Sequence, residues 1–173
     1  MPRPSAIVVL LLMCLLLCGC GVNSTEVRVA VHSDADVPVL LWLTKDGPPV
    51  ENGWMSPGTL AAETLPTAAD NDLSRLPVAQ IEPGASVSLP PRRGKFPRGT
   101  LPIARIFYGP STLTEFASVM KRASNVDTVL LTGGDNYIIV RGVDPVRAER
   151  VPLDAFALAV ERARRDERES AAR

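Results

Sequence analysis

The sequence predicts a mainly β fold: a β-sandwich-like domain of about seven strands with two peripheral helices. Three observations carry that prediction. Several segments of strand length either alternate apolar and polar residues or are apolar on both faces. Turn dipeptides such as Pro83-Gly84 and Gly133-Gly134 separate them. Proline is spread through the chain, 16 in 173 residues against a usual share of about 5%, which suits many turns and sheet edges better than one disordered tail.

In chain order, Glu26 to His32 alternates, with Val27, Val29 and Val31 on one face. It reads as a half-buried strand. Ser33 to Asp36 is a turn. Val37 to Lys45 follows, with Val39, Leu41 and Leu43 on one face and Leu40 and Trp42 on the other. A strand apolar on both faces is covered on both faces. These two strands are expected to form an antiparallel hairpin. Asp46 to Leu76 shows no strand pattern. Ser56-Pro57 could open a short helix through Glu63, with Trp54, Met55, Leu60 and Leu65 pinning the loop and Thr67 to Ser74 its mobile part. Val78–Glu82 and Ala85–Leu89 read as two strands around a type II turn at Pro83-Gly84.

Pro90 to Gly99 reads as a basic loop, and Leu101 to Tyr108 as a strong strand. Thr112 and Glu115 make a capping-box pattern. The helix they open runs to about Ala123, with Phe116, Val119 and Met120 on its apolar face. Thr128–Thr132 and Tyr137–Val143 read as a hairpin around Gly133-Gly134-Asp135-Asn136. Asp154 can cap a last helix through about Arg168, with Leu153, Phe156, Ala157, Val160 and Ala163 on one face. The two helices are expected over an edge or end of the sandwich. The domain is expected over residues 26–164, with 165–173 a frayed polar tail.

The amino-terminal stretch differs from the rest. Ala6 to Cys18 is thirteen residues without a polar or charged side chain, preceded by Arg3. A run of about 10–14 suits a signal-peptide core better than a span, which needs about 20. Leu17-Cys18-Gly19-Cys20 resembles the lipobox of bacterial lipoproteins, with Cys18 in place of the more usual Ala or Ser. That resemblance implies cleavage before Cys20, removing residues 1–19, and acylation of Cys20. Two or three acyl chains make a stable anchor, whereas one binds reversibly. Residues 20–25 then form a short tether. Gly21 is not the Asp associated with inner-membrane retention in some bacteria, so the resemblance favours the outer membrane, periplasmic face.

Composition narrows the chemistry. Lys and Arg balance Asp and Glu at 19 each, so no strong field recruits nucleic acid. The three cysteines are Cys14, Cys18 and Cys20. The predicted mature domain thus has no disulfide, thiol nucleophile or thiolate metal site. His32 is the lone histidine, in a His-x-Asp-x-Asp pattern with Asp34 and Asp36. It lacks the Gly and Glu of a calcium loop and reads as a solvated turn. No Gly-x-Ser-x-Gly elbow is present, and Gly133-Gly134-Asp135-Asn136 lacks the Lys-Ser/Thr of a phosphate loop. No cofactor and no metal are expected.

The sharpest polar cluster is Arg92, Arg93, Lys95 and Arg98, which could meet phosphate headgroups or an acidic partner, or simply be a solvated loop. Trp42 belongs to the most apolar strand and reads as core. Trp54, between Gly53 and Met55, reads as the better exposed contact residue for a sugar or other ligand. The stretch Val37–Leu43 and the later Pro83-Gly84 with Ala85–Leu89 are similar in outline to transthyretin-like periplasmic lipoproteins, without a residue-by-residue match. The expected function is a non-enzymatic envelope lipoprotein, anchored through Cys20, that contacts another envelope protein or stabilises an assembly. The alternatives are a module binding envelope lipid or glycan, and a hydrolase with an unrecognised serine site.

Overall fold

Strand β1 (Ser24–Asp34) buries Val27, Val29 and Val31 on one face, as the alternation predicts. Strand β2 (Val39–Asp46) divides its apolar residues the same way. Val39, Leu41 and Leu43 enter the central core, while Leu40 and Trp42 enter a second cluster on the opposite face. These features come from a computed structural model, which describes residues 24–57, 73, 76–110, 112–120, 126–142 and 147–172.

Nine strands in two sheets are present among the described residues: a mainly β, sandwich-like fold. The other strands are β3 (Val78–Ile81), β4 (Ser86–Ser88), β5 (Arg92–Lys95), β6 (Leu101–Tyr108), β7 (Val126–Leu130), β8 (Gly134–Arg141) and β9 (Arg147–Val151). One sheet runs β4-β1-β8-β9, with β5 continuing the β4 edge along β1. The other runs β3-β2-β6-β7. All pairings are antiparallel except β1 with β8. Ala30 faces Ser88 and Val27 faces Arg92, so the outer edge carries one extra residue around Pro90-Pro91, a bulge where proline cannot supply ladder donors.

Two expected hairpins are not formed, and the strands on either side of Pro83-Gly84 do not pair with each other. β1 and β2 lie in different sheets, as do β3 and β4, and β7 and β8. The Pro83-Gly84 turn is nevertheless real: Gly84 has φ +75° and the Ala85 N–H donates to Glu82 O at 3.0 Å. Turn chemistry reverses the chain but does not choose the sheet it returns to. Crossing between sheets lets each strand press its apolar face against the other sheet, and fully burying one Val, Leu or Ile contributes about 1.5–3 kcal/mol. Two strands also fall outside the expected seven: Arg92–Lys95, within the segment whose composition predicts a basic loop, and Arg147–Val151, which carries no apolar alternation.

The helices sit on outer faces rather than over an edge or end. Helix α1 (Leu113–Val119) opens with the predicted capping box: the Glu115 N–H donates to Thr112 Oγ1 at 3.3 Å, and the Thr112 N–H to Glu115 Oε2 at 3.1 Å. It sets the buried Phe116 parallel to Trp42, centroids 5.8 Å apart, and edge-on to Phe107 at 4.8 Å. This covers the second face of β2, along with Leu73 and Leu76. The predicted extension to Ala123, the helix through Glu63, Leu60, Leu65 and most of Thr67–Ser74 lie outside the described residues.

Helix α2 (Leu153–Ala171) lies over the first sheet, with Phe156 against Tyr137 at 5.4 Å. Pro152 occupies its N-cap and Asp154 stands in the first turn, favourable to the helix dipole but not the cap expected. The helix continues to Ala171, through most of the stretch expected to fray. Among the described residues no helix is long and apolar enough to cross a membrane.

Candidate functional site

The basic segment and Trp54 meet at the end of the sandwich where β1 begins. The register pairs Ser24 with Lys95 and Val27 with Arg92, so β5 is an edge strand along β1 and not a loop. A strand alternates its side chains between faces. Gly94 is accordingly buried and Arg92 half-buried, while Arg93 and Lys95 are exposed.

Trp54 is not an exposed contact residue. Only 2% of it is accessible, and it belongs to the central core. Its Nε1–H donates to Arg93 O at 2.9 Å, and its ring meets Phe96 edge-on at 5.1 Å. The Arg92 guanidinium lies 5.7 Å from the ring centroid and donates to the carbonyls of Leu43 and Gly53. Thr44 Oγ1 donates to Trp54 O at 3.2 Å. Gly94 makes room: a Cβ there would stand 2.5 Å from Trp54 Nε1 and 2.8 Å from Phe96 Cζ. Trp54 is therefore a peg closing this end of the core.

The cations have separate tasks. Burial lowers the Arg92 pKa from its ordinary value. Arg93 pairs with Glu26 at 3.2 Å on the outer face. Lys45, on the inward side of β2, is almost wholly buried; it pairs with Glu51, donates to Lys95 O at 3.1 Å and lies 5.8 Å from the Phe96 ring centroid. The hydrogen bond from Lys45 holds the Glu51 carboxyl below the usual carboxylate range, with the Lys95 N–H assisting against desolvation. Lys95 and Arg98 present exposed side chains with no ion pair among the described residues. Of the four cations expected to form one patch, two are thus bound into the fold or paired.

His32 is not in a solvated turn either. It lies within β1, wholly buried, its Nδ1 2.9 Å from Ser86 Oγ and its Nε2 2.8 Å from Asp34 Oδ1. A serine, an imidazole and a carboxylate in contact suggest a hydrolytic relay. The surroundings favour a latch between β4 and β1 instead. The nearby Gly84 and Ala85 N–H groups are engaged by Ser33 O and Glu82 O, and neither Ser86 nor His32 lines the adjoining cleft. Asp36 stays exposed, and among the described residues no group of three His, Cys, Asp or Glu side chains is arranged to hold a metal ion.

Sequence reasoning missed Asn136 and Asp127. Asn136 lies in β8, not in a hairpin turn, and is buried; its amide donates to Arg28 O, Thr132 O and Gly134 O, and its oxygen accepts from the Thr132 N–H at 2.9 Å. Asp127 accepts from the Ala148 N–H at 2.7 Å, joining β7 to β9 where the two sheets meet. Asn136 shares strand parity with Ile138 and Val140, and that alternation is the signal that could have placed it inward.

Two further clefts adjoin α2. A cleft of about 520 Å³ between α2 and the first sheet is lined by Asp34, Ile139, Arg141, Leu158, Ala159 and Arg162, among others. A second, of about 640 Å³, follows α2 from Leu153, Phe156, Ala157 and Val160 to Arg164 and Arg168. No residue of α2 is fully buried, and Leu153 and Leu158 are exposed. Cys20 and the expected signal segment lie outside the described residues. No protein-family model, curated protein or solved structure matches the chain.

Proposed function

We propose that the protein is a non-enzymatic envelope lipoprotein, anchored through acylated Cys20 on the periplasmic face of the outer membrane, whose β-sandwich presents α2 to another envelope protein. The observation that carries the interaction reading is α2: nineteen residues, none fully buried, with Leu153 and Leu158 exposed beside two clefts. A helix with unspent apolar surface is the kind of element partners cover. The anchor reading rests on Leu17-Cys18-Gly19-Cys20 after its apolar run.

Mass spectrometry of the mature amino terminus should find acylated Cys20; an unmodified terminus elsewhere sinks the anchor. Cross-linking in the intact envelope should yield a protein adduct that Leu153→Glu with Leu158→Glu removes while the melting temperature holds. An adduct indifferent to both substitutions sinks the surface. The second reading, a module for envelope lipid or glycan, draws on the cleft of about 520 Å³, within the usual ligand range of about 300–1,000 Å³. Filling it with Ala159→Trp should abolish lipid or glycan binding if that reading holds.

A further inference from the structure

We propose that the end of the sandwich from which the chain leads back to Cys20 rests on the bilayer surface, with Val50, Leu101 and Leu130 at the acyl boundary and Lys95 and Arg98 against anionic phospholipid headgroups. The inference deepens the lipid-anchor reading and rests on it for the tether.

The strand registers define this end. Ser24 pairs with Lys95, Asp46 with Leu101, Ile103 with Leu130 and Val27 with Gly134. The loop after β2 joins the same end, since Thr100 Oγ1 donates to Pro48 O at 3.3 Å. Five large hydrophobic residues are exposed among those described, and three of them belong here: Val50 at 84%, Leu101 at 48% and Leu130 at 55%. The other two, Leu153 and Leu158, are on α2.

Exposed cations accompany the apolar residues at this end. Lys95 and Arg98 are exposed at this end, with Asp46 and the Arg28-paired Asp135 as exposed carboxylates, while Lys45 is paired with Glu51 and Arg93 with Glu26. The far end, where β1 stops, carries exposed groups of both signs among the described residues: Asp34, Asp36 and Glu82 beside Arg147, Arg162 and the Glu149-paired Arg141. Long cationic side chains keep their heads at phosphate level while their stems lie along apolar surface.

Chain arithmetic supplies proximity. Cys20 precedes Ser24 by four residues, a reach of at most about 14 Å. A tether that short holds the end at an effective millimolar concentration or above toward the bilayer, so a weak contact suffices to set orientation. The same contact leaves α2, lying over the outer face of the first sheet, open to a partner.

A photoreactive diazirine amino acid placed at Val50, at Leu130 or, as the far-end control, at Glu82 of the full chain in intact envelopes tests this. Phospholipid adducts are expected at 50 and 130, roughly fivefold or more above 82. Lys95→Glu with Arg98→Glu should lower the yield at 50 by roughly tenfold. Arg98→Glu alone, in an exposed turn, repeats that arm if the pair disturbs β5. Equal yields at 50 and 82, protein adducts at 50, or yields indifferent to the charge reversals overturn the proposal. Mass spectrometry of Cys20 in the same sample separates the two readings. Acylated Cys20 without lipid adducts defeats this proposal alone, and lipid adducts without acylation defeat the anchor alone.

Discussion

Replacing Trp54 by alanine separates a structural peg from a ligand-contact residue. The ring is 2% exposed, hydrogen-bonded to Arg93 O and packed edge-on against Phe96. Truncating an aromatic in such a site removes its burial and leaves a cavity, together about 3–5 kcal/mol. For a domain of this size that corresponds to a fall in melting temperature of about 6–20 °C. Trp54→Phe keeps the ring against Phe96 but loses the indole donor, costing about 1 kcal/mol. A double-mutant cycle with Arg92→Ala should show a coupling of about 0.5–1 kcal/mol from the guanidinium over the ring. Thermal unfolding followed by circular dichroism measures all three, with Trp42 retained as a second fluorescence reporter in the core. A surface tryptophan would cost under about 0.5 kcal/mol. A melting temperature within about 2 °C of the parent for Trp54→Ala would refute the peg and return Trp54 to the ligand-site candidates.

Gly94→Ala should destabilise by about 1–3 kcal/mol, because the new methyl meets the Trp54 indole and Phe96, and the penalty should shrink in a Trp54→Ala background. Equal penalties in both backgrounds would show that the methyl clashes elsewhere. The folded-state pKa of Glu51 lies below its ordinary value, so its contribution is complete above the unfolded-chain value and is lost as pH falls through the folded one. In urea titrations from neutral pH into the acid range, Glu51→Gln should therefore flatten the acid limb of the stability curve; an unchanged slope would show that the Lys45 pair contributes nothing. Asn136→Ala strands the Thr132 N–H and several carbonyls and should cost about 2–3 kcal/mol in chemical denaturation. A loss below about 0.5 kcal/mol would mean that water replaces the amide.

The elements legible in the sequence were those whose cause is local. Alternation placed Val27, Val29 and Val31 in the core, the double-faced β2 announced a cover on each side, and Thr112 with Glu115 announced the start of α1. Pairing was not legible, because it is tertiary. Pro83-Gly84 makes the same turn whether the chain returns to its own sheet or crosses to the other. Strand β9 was hidden because Arg-Ala-Glu-Arg-Val has little apolar face, and the first sheet holds it through backbone bonds to β8. The His32 latch was hidden for a related reason: its partner Ser86 lies 54 residues away on a strand whose pairing no local pattern indicates.

The basic segment shows how composition misleads where periodicity does not. Four cations in seven positions read as one electropositive loop. Continuing the β-strand alternation through Arg92-Arg93-Gly94-Lys95 divides them, Arg92 and Gly94 inward toward Trp54, Arg93 and Lys95 outward. The same parity argument sends Lys45 inward after Val39, Leu41 and Leu43, where a charge must find a partner and finds Glu51. What this leaves for solvent is smaller and better located than the original cluster: Lys95 opposite Ser24 and Arg98 in the turn before Leu101. A ligand pocket for a free anion would need these heads to converge around a cavity, whereas a planar array of headgroups needs only that they share an end of the sandwich. The exposed Val50, Leu101 and Leu130 at that same end fit a surface that is apolar just beneath its charge, which is the profile of a bilayer interface and not of a soluble anion.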